Sequence, residues 1–229
     1  LRKSALRGIK IPGEAERLVA KLFADDTTVY LSGDDDYSCV QDLAATWCRV
    51  SRARFNEEKT EILPIGAESY RNTVCLTRKL SPLAPPIPDS AHIVRDGEAI
   101  RSLGAWIGNG IDVAAPWAPV LSTITTNLAK WGRGKPTLNG RKLAIGIEVA
   151  GRTQFRATVQ AMPASVEQRL TRIVSDFLWN GDAHPRVARE QTYLPIAEGG
   201  LKLLDIKAWN EAIALMWLKT YLAVGLKRP

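Results

Sequence analysis

Two short runs, residues 17–22 and 27–31, flank the tetrapeptide Phe23-Ala24-Asp25-Asp26, and this arrangement constrains the chain more than any other. Val19, Leu22, Val29 and Leu31 supply apolar faces, while the intervening Thr and Tyr suit extended backbone. The segment is therefore expected to be a β-hairpin with two carboxylates at its tip. Adjacent aspartates in a turn occur for purely conformational reasons, because Asp tolerates turn geometry and hydrogen-bonds its own backbone. Carboxylates fixed at the tip of a rigid hairpin are also well placed to hold hard cations such as Mg²⁺.

Downstream, Asp34, Asp35 and Asp36 precede a predicted helix over residues 37–52, in which Tyr37, Val40, Ala44, Trp47 and Val50 recur at three- and four-residue steps. Aspartates there suit a helix N-terminus, where they cap free N–H groups and favour the macrodipole. Phe55-Asn56 breaks the helix, and residues 61–65 predict a strand ended by Pro64 and Gly66. Residues 81–90 contain four prolines, which predicts a surface loop. Residues 100–107 are apolar again, punctuated by Gly104 and Gly108. Beyond about residue 113 the pattern turns helical, over 117–131, 140–161, 165–179 and 206–222, with Pro163 placed to start the third of these. The chain thus reads as a mixed α/β part followed by an all-α part. The seven tryptophans (47, 106, 117, 131, 179, 209 and 217) are expected to be mostly core anchors. The last helix is apolar on more than one side and is expected to be largely buried or covered by a missing neighbour.

Composition narrows the function classes. At 229 residues the chain can bury one large core or two small ones. No stretch approaches about 18 uninterrupted apolar residues, so no membrane partner is expected. The chain begins at Leu1 without a secretory pattern, and an intracellular fragment, cytoplasmic or nuclear, is the expectation. The odd trio Cys39, Cys48 and Cys75 lacks metal-ligand spacing and fits a reducing compartment. Neither His92 nor His184 stands near a cysteine pair, which excludes a zinc finger or knuckle. A formal net charge of +7 favours an anionic partner, nucleic acid foremost.

Five ordered segments sharpen this. Phe23-Ala24-Asp25-Asp26 and its flanks (Leu18 to Leu22, Thr27 to Leu31) resemble motif C of LINE-type, non-LTR retrotransposon reverse transcriptases, in the Phe variant of that box. Phe55-Asn56-Glu57-Glu58-Lys59-Thr60-Glu61 looks like motif D of that family, and Leu103-Gly104-Ala105-Trp106-Ile107-Gly108 looks like motif E, the primer grip. Phe177-Leu178-Trp179-Asn180-Gly181 and Gly199-Gly200-Leu201 are similar to the segment that follows the polymerase core. The resemblance covers nearly the whole chain.

It implies an α+β fold: a partial polymerase palm, an antiparallel sheet with a helix, over residues 1–112, then an all-α thumb and post-thumb region over 113–229. It implies two-metal nucleotidyl transfer in the full-length enzyme, with Mg²⁺ as cofactor, an RNA template, a DNA primer and deoxynucleoside triphosphates as partners. Asp25 would be a metal ligand and Asp26 its supporting neighbour. Lys59 would lie beside the incoming triphosphate as a candidate proton donor to pyrophosphate. Leu103 and Gly104 would form the turn that holds the primer end.

The resemblance also implies something lacking. Such sites share carboxylates between ions about 3.5–4 Å apart, and the family draws the second set from motif A, upstream of motif C. Only Glu14 and Glu16 are acidic among the 22 residues before Phe23, in a stretch that reads as a turn. The 229 residues are therefore expected not to polymerise alone. A non-catalytic nucleic-acid-binding module and a decayed retroelement remnant are the alternatives.

Residues 130–160 carry seven basic side chains against one acid, Glu148. On a uniform helix Arg141, Arg152 and Arg156 fall within about 60° of one another, with Leu143, Ile147, Ala150, Ala157 and Ala161 opposite. Together with Arg133 and Lys142 they form the expected phosphate-tracking face of a thumb helix. Glu148 stands four residues before Arg152 and is placed to pair with it.

Overall fold

The computed structural model describes residues 4–12, 15–182, 184–185 and 187–222. The chain divides into two compact units, Leu1–Ile100 with Gly108–Ile111, and Arg101–Ile107 with Asp112–Pro229.

The first unit opens with β1 (Ile9–Lys10) antiparallel to β2 (Arg17–Leu18), in register Ile9↔Leu18. A second antiparallel ladder joins β3 (Ala20–Phe23) to β4 (Asp26–Val29), from Ala20↔Val29 to Phe23↔Asp26. The run expected over 17–22 is thus divided at Val19, which is buried and whose carbonyl accepts the Tyr30 N–H at 2.8 Å. The break lets one stretch of chain serve two hairpins.

The three aspartates that follow have separate duties. Asp36 caps α1 (Tyr37–Ser51) by accepting the Ser38 N–H at 2.8 Å, as the sequence suggests. Asp35 is buried and accepts the N–H groups of Arg7 (2.7 Å), Gly8 (2.9 Å) and Ser32 (2.8 Å) and the Ser32 hydroxyl (3.1 Å). Burial pushes its carboxyl pKa up, but these donors together outweigh it and hold the group below the usual carboxylate range. Asp34 pairs with the Arg7 guanidinium at 2.7 Å. Two of the three therefore tie the N-terminal segment to the turn before α1, a role that local sequence does not display.

A small core forms from Val74, Ile87, Ala91 and Ile93, with Tyr37, Ile62 and Tyr70 packed on it. Val74 comes from α2 (Glu68–Thr77), and Ile93 from β6 (His92–Ile93), which runs parallel to β5 (Glu61–Ile62). The strand expected over 61–65 ends at Ile62, because β6 is only two residues long. Nor is the proline-rich segment merely a surface loop. Ile87 within it is only 2% exposed, and the Arg78 guanidinium donates to the carbonyls of Ile87, Pro88 and Ala91. Proline cannot supply N–H groups for a ladder, so one arginine fork organises the loop's carbonyls instead.

The second unit has a larger core. A hairpin formed by β7 (Ile100–Ser102) and β8 (Ala105–Ile107) precedes α3 (Ala118–Arg133), α4 (Leu138–Ile145), a π-helical turn (Gly146–Ala150), α5 (Gly151–Gln160), α6 (Ala164–Trp179), α7 (Arg189–Tyr193) and α8 (Ile206–Leu222). Trp117, Leu121, Ile124 and Leu128 line one face, and Val166, Leu170, Val174 and Leu178 line α6, all inside one buried cluster. These three- and four-residue steps are the helical period expressed as packing. Fully burying each such aliphatic side chain contributes about 1.5–3 kcal/mol before conformational entropy is subtracted.

The helix expected over 140–161 is helical through Gln160, but its phase differs from the uniform projection. Leu143 and Ile147, expected on the apolar side, are exposed. Ala157 is buried as expected, but Ala144, Ile145 and Val149 are buried as well. The π turn, with its i→i+5 bonds, holds more residues per turn than an α turn. It keeps residues 145, 149, 153 and 157 on one side. In the last helix Ile206 is buried, while Leu215, Met216, Leu218 and Leu222 are exposed, so among the described residues its apolar sides are not covered. Among the described residues no helix is long and apolar enough to cross a membrane.

Candidate metal and nucleic-acid-binding residues

The acidic hairpin has the geometry its sequence predicts. Ala24 and Asp25 form a two-residue turn, and Asp26 opens β4 opposite Phe23. Ala24 takes φ 51, a left-handed conformation that L residues adopt at a cost of about 1–2 kcal/mol. Asp25 and Asp26 are both exposed, as are Leu22 and Phe23. Among the described residues β3 pairs only with β4, so the acidic tip stands on a bare two-stranded ladder.

As a magnesium site this donor set is partial. Mg²⁺ requires near-octahedral coordination by several fixed oxygens. No group of three or more His, Cys, Asp or Glu side chains that could hold a metal ion occurs among the described residues. Two adjacent exposed carboxylates therefore do not make a magnesium cage by themselves.

Lys59 closes a short 3₁₀ turn, Glu57–Lys59, which Asn56 caps by accepting the Lys59 N–H at 3.3 Å. That cap fixes the backbone of the turn and leaves Lys59 exposed.

In the second unit, Leu103 and Gly104 form the two-residue turn between β7 and β8, with φ 47 and φ 86. The turn lies against α5. The Trp106 N–H donates to the Gln160 side-chain carbonyl at 3.3 Å. A Cβ on Gly104 would stand 2.5 Å from Cε1 of Phe155. The backbone angle favours glycine here, and a side chain would also have to displace the exposed Phe155 ring.

The five basic residues do not share one open face. Arg141 donates to the carbonyls of Pro136 (3.2 Å) and Phe177 (2.8 Å) and to the Asn180 side chain (3.2 Å), and its guanidinium lies over the Phe177 ring. It closes the C-terminal end of α6. Arg152 pairs with Glu148 at 2.7 Å, as the spacing predicts. Arg156 lies over the Trp117 ring, 5.8 Å from its centroid, with Nη1 buried. Arg133 is exposed and Lys142 half-buried. The reason is the helix phase: the side that a uniform helix assigns to solvent is the side flanking the core.

Glu148 is the polar centre that sequence reasoning undervalued. Its carboxylate accepts from Arg152 Nε, Asn127 Nδ2 at 2.9 Å and Trp131 Nε1 at 3.3 Å. Arg152, then Asn127, hold its pKa below the ordinary glutamate value against the opposing effect of burial. The local signals were an isolated acid inside a basic stretch and its four-residue spacing from Arg152; the Asn127 and Trp131 donors come from a separate helix.

No family model matches the chain. Over 225 residues it is 24% identical to the Transposon TX1 uncharacterized 149 kDa protein of Xenopus laevis. The match covers 97% of this chain and 16% of that protein. The chain is thus similar to a transposon-encoded protein and spans about a sixth of its length.

Proposed function

We propose that the chain is part of the palm and the thumb of an RNA-directed DNA polymerase encoded by a non-LTR retrotransposon. One observation carries this reading: Phe23-Ala24-Asp25-Asp26 heads an ordered series of segments resembling that family, and its aspartates stand exposed at a two-residue hairpin tip. The similarity to a transposon-encoded protein supports the same origin.

In the complete enzyme, Asp25 would hold Mg²⁺ with Asp26 beside it, opposite a carboxylate strand that the 229 residues do not supply. Bound there, the metal would activate the primer hydroxyl and neutralise the triphosphate of the incoming nucleotide. Lys59 would approach the triphosphate, and the Leu103-Gly104 turn would position the primer on an RNA template. The partial donor set favours a second reading for the chain on its own, a non-catalytic nucleic-acid-binding module.

Primer extension decides between activity and binding. The 229-residue chain is expected to retain primer–template in a salt-sensitive way and to synthesise no DNA with Mg²⁺. Synthesis is expected on adding a segment that carries the missing carboxylate strand, and Asp25→Asn is expected to abolish it. Extension by the chain alone would refute the partial-site argument. Absence of retention at low salt would sink the nucleic-acid reading.

A further inference from the structure

The apolar stripe of α1 does not stay covered along its length. Its first residue, Tyr37, packs on the small core, but Trp47 is 52% exposed and Val50 is 83% exposed. Arg52 then ends the helix in a left-handed conformation, φ 58, and turns the chain so that Phe55 returns to Trp47. The two rings lie 5.4 Å apart between centroids at 50°, and Phe55 is also 44% exposed. This is an aromatic pair facing solvent, where the sequence led us to expect a core anchor.

The segment that joins the two rings is cationic. Arg49, Arg52 and Arg54 lie between Trp47 and Asn56, with no acid among them, and all three are exposed. Arg49 donates to the Thr46 hydroxyl at 3.2 Å. Among the described residues none of the three arginines is in an ion pair, in contrast to Arg7, Arg71, Arg78 and Arg152.

We propose that the last turn of α1 and residues 52–55 form a binding platform for single-stranded nucleic acid. Each base offers a π face, so an exposed indole or phenyl ring can stack on it without reading sequence, while arginines meet the flanking phosphates. The pair's geometry sets the mode. Rings tilted by 50° at 5.4 Å leave no slot for a base between them, which would need about 7 Å, twice the 3.4 Å stacking repeat. A base therefore stacks on an outer face. Duplex bases already have both faces covered, so an unpaired strand is favoured. Charge complementarity separates this occupant from an apolar protein helix, which would have to desolvate three guanidinium groups without pairing them. The proposal takes from the preceding section only that the chain meets nucleic acid; it uses neither the acidic hairpin nor the second unit's cations.

Fluorescence anisotropy of a labelled oligouridylate with the whole 229-residue chain tests it. Trp47→Ala and Phe55→Ala should each weaken binding about 10-fold, and Trp47→Phe should restore most of the loss. Arg52→Ala and Arg54→Ala should each reduce the slope of log affinity against log salt by about 0.7. A 5-iodouridine oligonucleotide should photocrosslink to Trp47. Unchanged binding in the Trp47→Ala/Phe55→Ala double variant, with loss in Arg133→Ala/Lys142→Ala, overturns the platform and leaves the polymerase reading standing. Equal binding of duplex, or of an acidic peptide, also overturns it. No binding by the unaltered chain at low salt overturns both.

Discussion

The two units stabilise themselves by different means. Among the described residues the Arg101–Ile107 and Asp112–Pro229 unit buries fourteen in one apolar cluster drawn mostly from successive helices. The other unit has a cluster of four and relies on polar clamps: Asp35 gathers N–H groups from Arg7, Gly8 and Ser32, and Arg78 gathers carbonyls from the proline-rich loop. Apolar packing scales with the area removed from water and tolerates modest repacking. A polar clamp is all-or-none, because removing its centre leaves every buried partner unsatisfied. One unit should therefore fail through lost volume and the other through lost partners.

The largest test falls on the helical unit. Trp117 is fully buried, and Trp117→Ala should cost about 3–5 kcal/mol, lowering the melting transition of the α-helical signal. If the loss is below about 1 kcal/mol, the apolar cluster is not what holds this unit. The corresponding cut in the first unit is smaller. Asp35→Ala should cost about 1–3 kcal/mol and raise hydrogen exchange at the Gly8 and Ser32 amides, which then lack an acceptor. Unchanged exchange there would break the polar-clamp account.

The smallest effect is acid sensitivity. Asp35 and Glu148 both have folded-state pKa values below their references of 3.8 and 4.5. Their contributions are complete above those references and are lost as pH falls through the folded values. Stability measured between pH 5 and 2 should drop, and the drop should shrink in Glu148→Gln and in Asp35→Ala. An undiminished drop in both would assign acid sensitivity elsewhere.

Several elements were legible because they rest on short-range rules. The hairpin over Ala20–Val29 follows from strand formers around a turn, and α6 and α8 span almost the predicted residues because their apolar period is regular. Asp36 acts as the cap its position suggests. The exposed carboxylates at the hairpin tip were equally legible, since a two-residue turn leaves them nowhere else to go. By contrast α2 was missed: Glu68–Thr77 shows no apolar stripe, and its one buried residue is Val74.

Sequence by itself determined the acidic hairpin, the cap of α1 and most of the helices of the second unit. Tertiary structure decided which side each helix shows to solvent. A π turn shifts the phase between α4 and α5, so Arg141 and Arg156 meet Phe177 and Trp117 while Leu143 and Ile147 meet water. It also decided that Trp47 faces outward although its spacing matches that of core residues. Periodicity is a local property of the backbone, whereas burial depends on what distant segments bring to that face, and no window of sequence contains both.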